Sequence, residues 1–190
     1  MLQIYTGNGK GKTTAAIGLA IRAIGAGKKV YIMQFMKGLA YSEQSVLREF
    51  SPRLLLETTG KPFFVAQEGM LTPEERAAWG DEVVVFEKGN PPADYVALIG
   101  EGFQKAAGKA RSGEYDVVIL DELNVALLFE LLDKDEVEAL LNTISAETEL
   151  VLTGRGAPDW LIERADLVTD MREVKHYYAK GVAARRGIEN

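Results

Sequence analysis

Residues 6–14 read TGNGKGKTT. Gly11-Lys12-Thr13 fills the last three positions of the phosphate-loop pattern G-x-x-x-x-G-K-[ST], with Thr6 where the first glycine would stand. Glycines let successive backbone N–H groups turn inward into an anion nest. A helix starting near Lys12 adds its positive end at the same point. The chemistry this suits is the holding of a polyphosphate. Thr6, Gly7, Asn8, Gly9, Lys10 and Gly11 line the nest, and Lys12 is placed against phosphate oxygens. Thr13 offers a hydroxyl to Mg²⁺ or Mn²⁺, hard cations that take oxygen ligands. Thr14 either binds phosphate or simply begins the helix. Read without function, the stretch is a glycine-rich turn with surface lysines.

A second half lies downstream in YDVVILDELNVAL, where an apolar run ends in Asp121-Glu122. A carboxylate at the end of a strand beside a phosphate loop can hold Mg²⁺, directly or through water. The plainer reading is two acids favouring the dipole of the following helix. Together with residues 6–14, the pair is expected near the metal, with either acid as the direct ligand. Arg155, in TGRG after another apolar run, would face the nucleotide from a strand end. Gln34 and Lys37, after VYIMQF, would line the same cleft.

These groups need a scaffold that brings strand ends together. Residues 2–5, 30–35, 54–58, 115–120, 149–153 and 167–171 read as strands. Helices are expected at 12–26, 42–50, 72–79, 94–111, 123–131, 134–145 and 158–164. Strand and helix alternate, which predicts an α/β fold with a mainly parallel sheet and helices on both faces. Residues 80–92 read as an apolar run with a turn-rich exit. The 190 residues suit one domain, 1–190, with a tail at 172–190 packing near the ligand site.

Composition narrows the function further. The net charge of −6 argues against nucleic acid. Cysteine is absent, so thiolate catalysis and cysteine-ligated metal are excluded. No apolar run reaches the roughly 18 residues of a membrane span, and no signal peptide is visible; a cytoplasmic protein is expected. His176, the one histidine, reads as structural.

Four stretches, YTGNGKGKTTAAIGLAIRAIGAGKKVYIMQFMKG, VVILDELNVAL, LVLTGRGAPDWLIERADLVTDMREVKHYY and KGVAARRGIEN, resemble the P-loop ATP:corrinoid adenosyltransferases. The resemblance covers roughly two-thirds of the chain, in order, and includes the threonine at the first loop position. Residues 60–112 match loosely, with extra residues around 71–92. The resemblance implies a three-layer, RecA-like P-loop NTPase fold and a homodimer. It implies transfer of the 5′-deoxyadenosyl group of ATP to cobalt(I) of a corrinoid, in cobalamin biosynthesis or salvage, with release of triphosphate. A separate electron donor would generate the cobalt(I). Lys12 and Glu122 would act in catalysis. Phe63 and Phe64, with Trp79 as a further candidate, would face the corrin. Arg185 and Arg186 would fold over ligand or stay in solvent. The competing readings are a small-molecule kinase or ATPase on the same fold, and a nucleotide-dependent switch.

Overall fold

The computed structural model describes residues 1–189; Asn190, the last residue of the expected tail, lies outside them. The elements in chain order are β1 (Leu2–Thr6), α1 (Lys12–Gly25), β2 (Val30–Gln34), α2 (Ser42–Arg48), β3 (Leu54–Thr58) and β4 (Phe64–Gln67). They continue with α3 (Pro73–Trp79), β5 (Val83–Phe86), α4 (Ala93–Arg111), β6 (Val117–Asp121), α5 (Leu123–Leu128), α6 (Lys134–Thr143), β7 (Glu149–Thr153), α7 (Asp159–Arg164) and β8 (Leu167–Asp170).

Six strands form one sheet in the order β3-β2-β6-β7-β1-β8, every pair parallel. The strand side chains divide between two cores. Tyr31, Met33, Val118, Leu120, Leu150, Leu152, Leu2 and Ile4 pack with α4, α5, α6 and α7. Their neighbours Val30, Ile32, Val117, Ile119 and Val151 pack with α1 and α2. Both faces of β2 and β6 are thus covered, which is why these strands read as continuous apolar runs rather than alternating ones. Ala16, Ala20 and Ala23 form the buried stripe of α1; their small side chains let the helix approach the sheet closely. The result is the expected three-layer α/β architecture.

Helix ends follow local chemistry. Gly27, with φ 82°, follows α1, and the N–H groups of Gly27 and Lys28 donate to Ile24 and Ala23 carbonyls, a complete Schellman closure. At the start of α3, Thr72 and Glu75 exchange the two bonds of a capping box, with Pro73 at the first helical position.

The expected elements are present, with ends shifted by a few residues. Residues 123–131 are helical only to Leu128, and residues 134–145 only to Thr143. The sequence expectation missed β4, and read β5 only as an apolar run. These two strands pair in parallel as a separate sheet, with α3 as the crossover. At four residues each, they are too short for a periodic signal. Val65 and Phe86 join this small unit to the core beneath α4 and α5. No helix among the described residues is long and apolar enough to cross a membrane.

Candidate active site

Parallel strands deliver their carboxyl ends to one edge, where ligands bind in open α/β sheets. Here β1 leads into the loop of residues 7–11, β7 ends at Thr153, β6 ends at Asp121 and β2 ends at Gln34. Gln34 lies level with Asp121 in the register, and Tyr5 lies level with Thr153. The sheet therefore brings together residues far apart in sequence.

The loop joins the end of β1 to the start of α1. Gly11 has φ 117° and leads directly into Lys12, the first residue of α1. Lys12 is buried; its ammonium donates to the carbonyls of Gly7 at 2.7 Å and Gly9 at 2.8 Å. An ammonium carries three N–H donors, so one remains for a ligand. Burial, only partly offset by the nearby Glu122 charge, holds this lysine below its ordinary pKa. The outer wall of the loop is the chain leaving β8. Gly9 N–H donates to Met171 O at 2.6 Å. A Cβ at Gly7 would lie 2.3 Å from an Asp170 carboxylate oxygen, and one at Gly9 would lie 2.6 Å from Met171 O. Thr6 is buried, and its hydroxyl accepts from Ala157 N–H at 3.3 Å. A threonine at this position therefore ties the loop to Ala157, the residue after TGRG, which a glycine side chain could not do. Asn8, Lys10 and Thr14 are exposed at the rim.

Asp121 is 1% exposed and fully engaged. Thr13 Oγ1 donates to Oδ1 at 2.8 Å, and Thr153 Oγ1 donates to the same oxygen at 2.6 Å. Gln34 Nε2 donates to Oδ2 at 3.2 Å, and Lys37 Nζ lies 3.3 Å from it. Two donors per oxygen leave little acceptor capacity for a cation. The bond from Thr13 orients the threonine: its proton points to Asp121, and its lone pairs point away.

Glu122 is different. It has φ 66°, a left-handed backbone that costs a non-glycine residue on the order of 1 kcal/mol or more. Glu122, unlike Asp121, lines a cavity of about 310 Å³. The Glu122 N–H donates to Thr153 Oγ1 at 3.0 Å, which holds the turn. Burial, then the charge of Asp121, pushes the Glu122 carboxyl up to about 7.

Arg155 lines the same cavity, with Phe35, Tyr41, Phe64, Met70 and Phe129. A polar, charged end thus meets an aromatic wall. Of the three residues expected at the corrin, Phe64 lines the cavity. Trp79 packs edge-on against Phe64 with ring centres 4.8 Å apart. Phe63 instead packs against Tyr95, 5.9 Å between centres, beside the core. In the tail, Arg185 lies over the Tyr177 ring and pairs with Glu189 at 3.1 Å, while Arg186 is exposed. The His176 ring packs at a tilt against Tyr177, 4.6 Å between centres.

Sequence reasoning missed Thr153, Tyr41, Glu43 and Met70. A threonine ending a strand beside β6 was the available signal for Thr153. Tyr41 and Met70 sit on short connecting segments and Glu43 in the first turn of α2, where nothing in the spacing marks them.

The donor set can be weighed against Mg²⁺. Among the described residues, no three histidine, cysteine or carboxylate side chains converge as a cage. The Thr13 hydroxyl and the Glu122 carboxylate fit the way Mg²⁺ is held, by few protein oxygens with phosphate and water completing the shell.

Residues 1–190 match the family model described as ATP:corrinoid adenosyltransferase BtuR/CobO/CobP. The chain is similar to a corrinoid adenosyltransferase of Escherichia coli K12, 36% identical over 186 residues, covering 98% of this chain and 83% of that protein. It is similar to one of Pseudomonas aeruginosa, 33% identical over 190 residues, covering 100% and 83%. Among solved structures it is similar to the RadB recombinase, 15% identical with a TM-score of 0.48, covering 92% of this chain and 75% of that one. With the whole chain matched, the protein belongs to the ATP:corrinoid adenosyltransferase family.

Proposed function

We propose that the chain binds ATP with its triphosphate in the loop of residues 6–14 and transfers the 5′-deoxyadenosyl group to cobalt(I) of a reduced corrinoid. Cobalt(I) supplies the electron pair for the new cobalt–carbon bond. The bond from C5′ to the phosphate oxygen breaks, and triphosphate leaves with the electron pair of that C–O bond. The nucleophile has no proton to lose, so no general base is needed. This fits a chain with one histidine and no cysteine.

The protein's part is positioning and charge. Lys12, the loop amides and Arg155 stabilise the charge that grows on the departing triphosphate. Glu122 and the outward lone pairs of Thr13 would hold Mg²⁺, and Asp121 keeps Thr13 turned the right way. When bound, Mg²⁺ supplies further positive charge to the leaving group. Phe64, backed by Trp79, would wall the corrinoid side and exclude water. The observation that carries this reading is the shared cavity, where Glu122 and Arg155 meet Phe64 and Phe129. The same reading takes residues 1–190 as one domain of a cytoplasmic homodimer, supplied with cobalt(I) by a separate electron donor.

Product analysis tests it. The protein is incubated without oxygen with ATP, Mg²⁺ and a chemically reduced corrinoid. A cobalt–carbon bond and free triphosphate are expected in equal amounts. ADP as the sole nucleotide product would overturn the reading in favour of a kinase or ATPase.

A further inference from the structure

Lys37 has no part in the chemistry above, yet it is the most enclosed cation beside Asp121 after Lys12. Its side chain is 12% exposed, and its ammonium lies 3.3 Å from Asp121 Oδ2 and 3.3 Å from Glu43 Oε1. It also stands 4.6 Å from the centre of the Tyr41 ring. Gln34 Nε2 sits beside it, 3.2 Å from the same Asp121 oxygen and 3.3 Å from the same Glu43 oxygen. Gln44 donates to the Gln34 carbonyl at 3.0 Å, which fixes the direction of that amide. Two carboxylate oxygens from different elements therefore converge on one ammonium at the cavity wall.

That arrangement is what a small divalent ion would otherwise find attractive: two acid oxygens on a common point, open on one side to a cavity. Burial works against the Lys37 charge, but Asp121 and Glu43 together more than offset it. The other oxygen of Asp121 is already closed by Thr13 and Thr153. We propose that Lys37 is a positioning residue, an internal ammonium that closes the outer oxygen of Asp121 to divalent cations and confines the metal ion to the Thr13–Glu122 side. The site then takes one cation with ATP. A second ion at Asp121 and Glu43 would bring its charge and hydration shell into the cavity lined by Phe64 and Phe129, where the corrinoid must approach. The inference rests on the reading that a divalent ion binds with ATP at Thr13 and Glu122.

The test counts bound Mn²⁺ by equilibrium dialysis in the presence of ATP and the absence of corrinoid, so that no turnover occurs. The unaltered protein is expected to hold one Mn²⁺ per chain, and Lys37→Met two. Lys37→Arg should return the count to one, and Glu43→Gln added to Lys37→Met should remove the second ion. Should Lys37→Met fail to fold, Lys37→Gln carries the same comparison. A folded Lys37→Met or Lys37→Gln protein that holds one Mn²⁺ with unchanged affinity overturns this inference and leaves the proposed reaction standing. An unaltered protein that holds no Mn²⁺ with ATP overturns the metal reading and this inference with it.

Discussion

The Thr13 hydroxyl donates to Asp121 across 2.8 Å, joining residues 108 positions apart. This one bond connects the phosphate loop to the end of β6 and gives each partner a distinct task. In the proposed reading, Asp121 organises and Thr13 presents oxygen to the cation.

The division between Asp121 and Glu122 can be separated by substitution. Asp121→Asn places an amide among four donors, so it should destabilise the fold by about 1–3 kcal/mol, the cost of leaving buried polar groups unpaired. Glu122→Gln relieves a buried carboxyl and should leave the unfolding midpoint unchanged or raised, while the Mg²⁺ concentration needed for turnover climbs. Thermal unfolding beside Mg²⁺ titration checks both. Equal loss of stability in the two variants contradicts the assignment.

Lys12→Ala should lower kcat by roughly 10²–10³, the range seen when a preorganised charge-stabilising donor is removed. Triphosphate release under saturating ATP measures it. Near-normal turnover in this variant would refute the role given to the lysine.

Phe63 and Phe64 are adjacent but should behave differently. Phe64→Ala and Trp79→Ala should raise the KM for corrinoid and leave the KM for ATP unchanged. Phe63→Ala, which removes a ring packed on Tyr95, should mainly lower stability, by up to about 3 kcal/mol. Steady-state kinetics beside unfolding curves distinguishes them, and the reverse pattern sinks the assignment.

A pH dependence follows from Glu57. Tyr31 donates to it at 2.7 Å, and Lys105 pairs with it at 2.5 Å. Burial alone would raise the carboxyl; the bonds from Lys105 and Tyr31 outweigh burial and hold it below its ordinary value. A carboxyl lowered in the folded state stabilises above its unfolded pKa, and that gain is lost as pH falls through the folded value. Glu57→Gln should therefore be less stable than the parent at pH 7, with the difference closing as the medium becomes acidic below about pH 4. A difference that is constant with pH contradicts this account.

Much of this site was legible in the residues. TGNGKGKTT and the apolar run ending in Asp121-Glu122 are local signals, because a nest and a buried strand are each specified within about ten residues. The parallel sheet followed from alternation of elements. Other features depend on neighbours brought close by folding. Which acid faces the cavity is decided by Thr153 at the end of β7, by Lys37 in the segment after β2, and by a left-handed turn that glutamate rarely adopts. Phe63 and Phe64 look alike in sequence; only the pairing of β4 with β5 sends one to the cavity and the other toward Tyr95. The strands β4 and β5 are stable through packing on α4 and α5, so no periodicity announces them.

The outer wall of the phosphate loop is formed by the chain leaving β8, with Gly9 bound to Met171. The last twenty or so residues are consequently more than a trailing end. Cutting the polypeptide just after β8 would remove Met171 and Arg172, the residues packed against Gly7 and Gly9 at the opposite end of the sequence.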